Sequence, residues 1–169
     1  PMGVDSEPSS GVTPSGSLAV RSRSLTCALA KYASVPVINL ETSFGHPCQA
    51  LADVLTMREQ LVSLRGRKLT LLWCNHPEPK SLGPTHSMLQ LAALSGMQIT
   101  LAHPLGFEVD ASVLDQSRQV AQDAGGSLQV VNDVHTAARG AEVLYARSWG
   151  SIKHWHDAER EAIVKRSLT

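Results

Sequence analysis

Lys68-Leu-Thr-Leu-Leu-Trp-Cys74 and, 24 residues later, Gln98-Ile-Thr-Leu-Ala102 decide the fold. Each is a short apolar run of strand-forming residues, and the segment between them, about Thr85 to Ser95, has a helical pattern closed by Gly96. The rhythm then repeats. Asp110 is placed to cap a helix that carries Val113, Leu114, Val120 and Ala121 and stops at Gly125-Gly126. Ser127-Leu-Gln-Val-Val131 reads as a third strand, Asp133 starts a short helix ending near Gly140, and Glu142-Val-Leu-Tyr-Ala146 reads as a fourth strand. Asp157 to about Ser167 again looks helical. Short apolar strands alternating with helices predict βαβ units: an α/β fold with a parallel sheet flanked by helices on both faces. Ligands of such sheets bind beyond the carboxyl ends of the strands. The residues predicted there are Trp73, Cys74 and Asn75, His103 and Pro104, Asn132 and Asp133, and Arg147, Ser148 and Trp149.

Upstream, Val35-Pro-Val-Ile-Asn39 reads as a buried strand. Pro47 then suits a first helical position, where its fixed φ helps and its missing N–H costs nothing. Leu51, Val54, Leu55, Leu61 and Val62 follow at helical spacing, predicting a helix to about Leu64 ended by Gly66. His46 and Gln49 would share the start of that helix with its free N–H groups and the positive end of its dipole. Such a point binds a carbonyl oxygen or an anion; the same residues would also serve as a plain histidine cap. Leu18-Ala-Val20 reads as a short strand and Leu25 to Tyr32 as a helix. Pro1 to Ser17, with eleven Pro, Gly or Ser, reads as a flexible tail.

Fifteen basic residues balance fifteen acidic ones in 169, so no net field recruits nucleic acid or an anionic membrane. No apolar run approaches a bilayer span, and Cys27, Cys48 and Cys74 form no disulfide framework, which favours a reducing cytoplasm. No Gly-x-Gly-x-x-Gly, phosphate loop or Gly-x-Ser-x-Gly elbow is present. His76, His86, His154 and His156 fit no zinc spacing, so no metal is expected. Asn75 to Pro84, with three prolines at a strand's carboxyl end, reads as a wall of a substrate cleft.

Taken together, Ala30-Lys-Tyr-Ala-Ser-Val-Pro-Val-Ile-Asn39, His46-Pro-Cys-Gln-Ala-Leu-Ala-Asp53 and Val20-Arg21-Ser22 resemble the aspartate/ornithine carbamoyltransferase family. Within it, Leu40-Glu-Thr42, Trp73-Cys-Asn-His-Pro-Glu-Pro79 and Tyr145-Ala-Arg-Ser-Trp-Gly150 resemble the branch acting on N-acylated ornithine. The resemblance implies transfer of the carbamoyl group of carbamoyl phosphate to the side-chain amine of N-acetylornithine, giving N-acetylcitrulline and phosphate, in arginine biosynthesis. Ornithine or N-succinylornithine as acceptor, or a non-catalytic binding relative, are the alternatives. It further implies that Arg21 holds phosphate, and that His46 and Gln49 donate to the carbamoyl oxygen. Glu41, Ser81 and Arg147 would bind the amino acid, with no cofactor and no metal. Arg147 and Ser81 stand where the branch carries a lysine and an asparagine, and the turn between Glu41 and His46 has one residue more. By the same resemblance, 18–46 is the carboxyl edge of a carbamoyl-phosphate domain, 47–64 an interdomain helix and 65–169 an incomplete amino-acid-binding domain, Rossmann-like in fold. The family's Ser-x-Arg-Thr-Arg and His-Cys-Leu-Pro motifs do not occur. The chain is therefore expected to be inactive alone and homotrimeric only in a longer form.

Overall fold

In the computed structural model the described residues are 17–78, 80–154 and 157–166, excepting the side chains of 17–24, 135 and 158. The order is α1 (Ser17–Tyr32), α2 (Pro47–Leu61), β1 (Lys68–Trp73), α3 (Gly83–Leu94), β2 (Gln98–Ala102), α4 (Ala111–Asp123), β3 (Ser127–Val131), α5 (Val134–Ala137), β4 (Val143–Arg147), a 3-10 turn (Ile152–His154) and α6 (Ala158–Arg166). The four strands form one parallel sheet in the order β3-β2-β1-β4. Lys68 pairs with Gln98, Leu69 with Val143 and Ile99 with Leu128, which aligns all four carboxyl ends on one side.

The helix boundaries follow from local chemistry. Asp110 caps α4 by accepting from the Ser112 and Val113 N–H groups and from the Ser112 hydroxyl. The Ser112 bond leads the influences that hold the Asp110 carboxyl below its ordinary range. Pro47 and Pro84 both sit in the first helical turn, as the missing N–H allows. Gly96 and Gly125 take positive φ after α3 and α4.

Three expectations upstream of the sheet need correction. The predicted strand at 18–20 is the first turn of α1. A three-residue strand with no neighbour has nothing to pair with, whereas the Leu/Ala/Arg content there extends the following helix. Pro1 to Gly16 of the predicted tail lie outside the described residues. The predicted strand at 35–39 joins no sheet, and Val35 and Ile38 are 69% and 73% exposed. Strand propensity describes a half-buried pleated surface, and here no ladder supplies one. Finally, α2 ends at Leu61 rather than at about Leu64, and the stop is not Gly66. Val62, 87% exposed, takes φ 62° and ψ −48°, with the Ser63 N–H donating to the Leu61 carbonyl at 2.6 Å. That is a γ-turn with positive φ, a costly conformation for a β-branched residue.

The two faces of the sheet differ. Leu69, Leu71, Trp73, Ile99 and Leu101 pack with Met88, Leu89, Ala92 and Ala93 of α3, and Phe107 and Trp149 close this core. Trp149 is fully buried, and its indole donates to the Phe107 carbonyl at 2.8 Å while its own carbonyl accepts from Trp73 at 3.0 Å. The opposite face carries Lys68, Thr70, Gln98, Thr100 and Gln129 around a groove of about 490 Å³. Among the described residues only the one-turn α5 crosses it, held by Thr70 Oγ1 donating to the Ala137 carbonyl at 3.1 Å. The expectation of helices on both faces thus holds fully for one face. Alternating Thr and Gln in β1–β3 is the local reason, since those side chains satisfy one another, as in Gln129 Nε2 to Thr100 Oγ1 at 3.0 Å.

Candidate active site

The turn before α2 is closed on itself and then fastened to α3. Thr42 exchanges bonds with Gly45: the Thr42 N–H and hydroxyl donate to the Gly45 carbonyl at 2.8 and 3.0 Å, and the Gly45 N–H donates back at 2.9 Å. The His46 N–H donates to Ser87 Oγ at 2.9 Å. Ser81 Oγ donates to the Ser43 carbonyl at 3.2 Å. His86 accepts the Asp110 N–H at Nε2 (3.3 Å), so in the neutral ring the proton sits on Nδ1 and is donated to the Phe44 carbonyl at 3.0 Å. Gly83 lets the two segments touch. A Cβ there would lie 2.5 Å from the Thr42 carbonyl oxygen and 3.1 Å from the Gly45 nitrogen.

The first turn of α2 sets the tautomer of His46. Its Nδ1 accepts the Gln49 N–H at 3.3 Å, capping α2, so the proton of the neutral ring resides on Nε2. Glu41 Oε2 stands 4.0 Å from that Nε2. The expected array of free N–H groups is smaller than a bare helix start would offer: Pro47 has none, Gln49 serves His46, and the Ala50 N–H goes to the His46 carbonyl at 3.2 Å. What remain are the Cys48 N–H and a neutral imidazole N–H donor, the latter held by its other nitrogen.

Gln49 and the second domain meet at Asp53. Gln49 Nε2 donates to Asp53 Oδ1 at 2.8 Å, and the Tyr145 hydroxyl of β4 donates to Asp53 Oδ2 at 2.9 Å. Burial, then the bond to Asp53, push the Tyr145 hydroxyl up to about 12, with Arg147 opposing. Arg147 follows two residues later in β4 and so shares Tyr145's face of the sheet. Its Nε is buried without a partner among the described residues, as are the hydroxyls of Ser43 and Ser148.

The walls are tied to the same end of the sheet. The Gly150 N–H donates to the Lys80 carbonyl at 2.9 Å, joining the segment after β4 to the loop 74–82. Helix α6 braces both. The buried Glu161 accepts the Ser151 N–H at 3.1 Å and pairs with Lys165 at 2.7 Å, and Lys165 donates to the His76 carbonyl at 3.0 Å. A buried pair whose members each hold a loop backbone makes α6 a brace for two loops at once.

A family model described as aspartate/ornithine carbamoyltransferase, Asp/Orn binding domain, matches residues 84–168, and its carbamoyl-P binding domain counterpart matches residues 16–59. This chain belongs to the aspartate/ornithine carbamoyltransferase family. The N-acetylornithine carbamoyltransferase of Xanthomonas campestris pv. campestris is 40% identical over 141 residues, covering 82% of this chain and 41% of the relative. That of Xylella fastidiosa is 41% identical over 128 residues, covering 74% and 38%. The ornithine carbamoyltransferase of Halalkalibacterium halodurans is 37% identical over 138 residues, covering 81% and 41%. Among solved structures, acetylornithine transcarbamylase complexed with acetylcitrulline superposes with a TM-score of 0.83 at 37% identity, covering 88% of this chain and 46% of that one. The chain thus spans about two fifths of the length of these relatives. Among the described residues no helix is long and apolar enough to cross a membrane.

Of the residues singled out from the sequence, Glu41, His46 and Gln49 stand together at the start of α2. Arg147 lies at the carboxyl end of β4 beside Tyr145. Ser81 is not directed as a free hydroxyl: it donates to Ser43 and accepts the Gly83 N–H at 3.0 Å. Arg21 lies within α1, not at a strand end, and its side chain is outside the described residues. Sequence reasoning missed Asp53, Tyr145, Ser87 and Gly83. Only Asp53 left a local signal, a carboxylate four residues after Gln49 on one helical face.

Proposed function

We propose that this chain carries the carbonyl-polarising half of a carbamoyltransferase active site. Its proposed reaction transfers the carbamoyl group of carbamoyl phosphate to the side-chain amine of N-acetylornithine, giving N-acetylcitrulline and phosphate in arginine biosynthesis. The observation that carries the reading is His46: its Nδ1 is occupied by the helix backbone, so a neutral Nε2–H is available to a carbonyl oxygen. Such a fixed donor acts most strongly on the oxyanion of the tetrahedral intermediate. The amine nitrogen forms the new C–N bond, the C–O bond to phosphate breaks, and the amine proton leaves with phosphate or solvent. Gln49, expected from the sequence to donate to the carbamoyl oxygen, instead offers its side-chain carbonyl to the carbamoyl NH2, because its Nε2 is turned to Asp53. Glu41 and Arg147 take the amino-acid side, and the unpartnered Arg147 Nε and Ser148 Oγ suit a polar acceptor. Support for the N-acetylornithine branch comes from the relatives at 40% and 41% identity; those named ornithine carbamoyltransferase favour ornithine as the second reading.

Arg21, Ser81, a cytoplasmic location and a homotrimer of a longer chain belong to the same proposal. The isolated 169 residues are expected to bind carbamoyl phosphate weakly and turn over little or nothing. The test places residues 17–166 in the Xanthomonas campestris relative in place of its matching segment and assays citrulline-type product with each acceptor. N-acetylcitrulline formation, falling about 10²- to 10³-fold in kcat with His46→Ala, is the expected result. A folded hybrid that ignores His46, or that prefers ornithine, defeats the reading.

A further inference from the structure

Asp53 lies off the path of the carbamoyl chemistry, yet two elements converge on it. Its carboxylate accepts through one oxygen from Gln49 Nε2 at 2.8 Å and through the other from the Tyr145 hydroxyl at 2.9 Å. An amide oxygen and nitrogen are interchangeable in shape, so a glutamine's orientation is decided by its partner's chemistry. An ionised carboxylate only accepts, hence the nitrogen must face Asp53. Asp53 lies one turn along α2 from Gln49, away from His46. With Nε2 turned to Asp53, Oε1 lies on the opposite side of the amide, facing away from that carboxylate. We propose that Asp53, itself held by Tyr145, is a positioning residue that fixes the amide of Gln49 with its oxygen presented to the carbamoyl NH2.

The observation that lifts this above an ordinary helix pair is the second tie. Gln49 and Asp53 alone would be an exposed i, i+4 contact, free to break and turn. Tyr145 comes from β4, on the far side of the domain junction, and pins the Asp53 rotamer from the other oxygen. The Tyr145 hydroxyl stays protonated across the working pH range and so remains a donor. One carboxylate therefore joins the helix bearing Gln49 to the strand bearing Arg147. The orientation of Gln49 becomes dependent on the position of β4. This positioning role rests on the proposed carbamoyl transfer; the strut of three side chains does not.

The experiment follows the side-chain amide resonances of Gln49, assigned by comparison with Gln49→Glu, in the full 169-residue chain. The wild type, Asp53→Ala and Tyr145→Phe are compared, each checked for an unchanged backbone spectrum. The expected result is a shifted, ordered Gln49 amide in the wild type that collapses to free-glutamine behaviour in Asp53→Ala. Tyr145→Phe, which removes no atom touching Gln49, should also loosen it, an effect that a merely local helix pair would not produce. Carbamoyl phosphate is then titrated into the Xanthomonas campestris hybrid described above and into its Asp53→Ala and Tyr145→Phe variants, because the isolated chain is expected to bind it weakly. It should shift both His46 and Gln49 in the unsubstituted hybrid, with affinity falling roughly tenfold in Asp53→Ala while the His46 response persists. A Gln49 amide already mobile in the wild type, or indifferent to Tyr145→Phe, overturns the strut. A strut that stands while carbamoyl phosphate moves neither residue defeats the proposed function and, with it, the positioning role.

Discussion

Residues 33–40 and 41–53 adjoin in the chain and fall in no sheet, yet they are held in opposite ways. In the first, Val35, Ile38 and Leu40 face solvent, and among the described residues the one tie of its backbone beyond α1 is the Asn39 carbonyl accepting weakly from Cys48 Sγ at 3.6 Å. In the second, Ser81, His86 and Ser87 of the neighbouring domain each bond a backbone group of the turn, and Tyr145 bonds Asp53. The apolar segment is exposed with few bonds and the polar one is tied by several. Hydrophobicity alone does not order a chain; a partner surface does, and directional bonds from a rigid neighbour supply it for the turn that carries His46.

The difference can be broken most severely at Gly83. Gly83→Ala should cost about 2–3 kcal/mol in urea unfolding, because its Cβ would meet the Thr42 and Gly45 backbone. Gly66→Ala, with φ 75° but open space around it, should cost about 1 kcal/mol from backbone strain alone. Equal losses would show that the contact with the turn does not matter. Ser87→Ala leaves the His46 N–H without its acceptor and should cost about 1–2 kcal/mol, with faster hydrogen exchange at His46 and unchanged exchange at Ala33 to Leu40.

Tyr145 gives the pH dependence. Its folded value, about 12, exceeds the ordinary 10, so the folded chain holds that proton more tightly. The stabilisation is complete below pH 10 and is lost as the pH rises toward 12. Tyr145→Phe should flatten that decline in stability measured between pH 9 and 12. At the far, unfastened end of α2, Val62→Gly should raise stability by about 0.5–1 kcal/mol by relieving a positive φ in an exposed residue. In the exposed segment, Ile38→Ser should change stability by no more than about 0.5 kcal/mol. A larger loss there would mean that residues 33–40 are packed in solution.

The second domain was legible where punctuation is local. Asp110, Gly96 and Gly125-Gly126 mark ends that turn on capping and φ, and β2 and β3 fall at the predicted residues. Val35 to Asn39 and Leu18 to Val20 were misread because a strand needs a ladder, and the presence of a neighbour is not written in the run itself. The α2 boundary was misplaced because Gly66 looked like the natural stop, while the chain turns earlier at a strained valine. At the candidate site, His46, Gln49 and Glu41 were visible because they lie within nine residues. Their supports were not: Ser87 is 41 residues from His46 and Tyr145 is 92 from Asp53, and such pairings arise only when α3 and β4 have been placed.

That last separation has a consequence in time. Strand β1 pairs with β2 soon after both emerge, but its other edge pairs Leu69 with Val143, so it stays uncovered until β4 has been made. At about 5–20 residues per second, the ribosome takes several seconds to bridge that interval. Tyr145 arrives on the same strand. The nascent chain therefore carries His46 and Gln49 on a finished helix well before it acquires the hydroxyl that reaches Asp53. Closing the sheet and setting the glutamine are one late event in the life of the molecule.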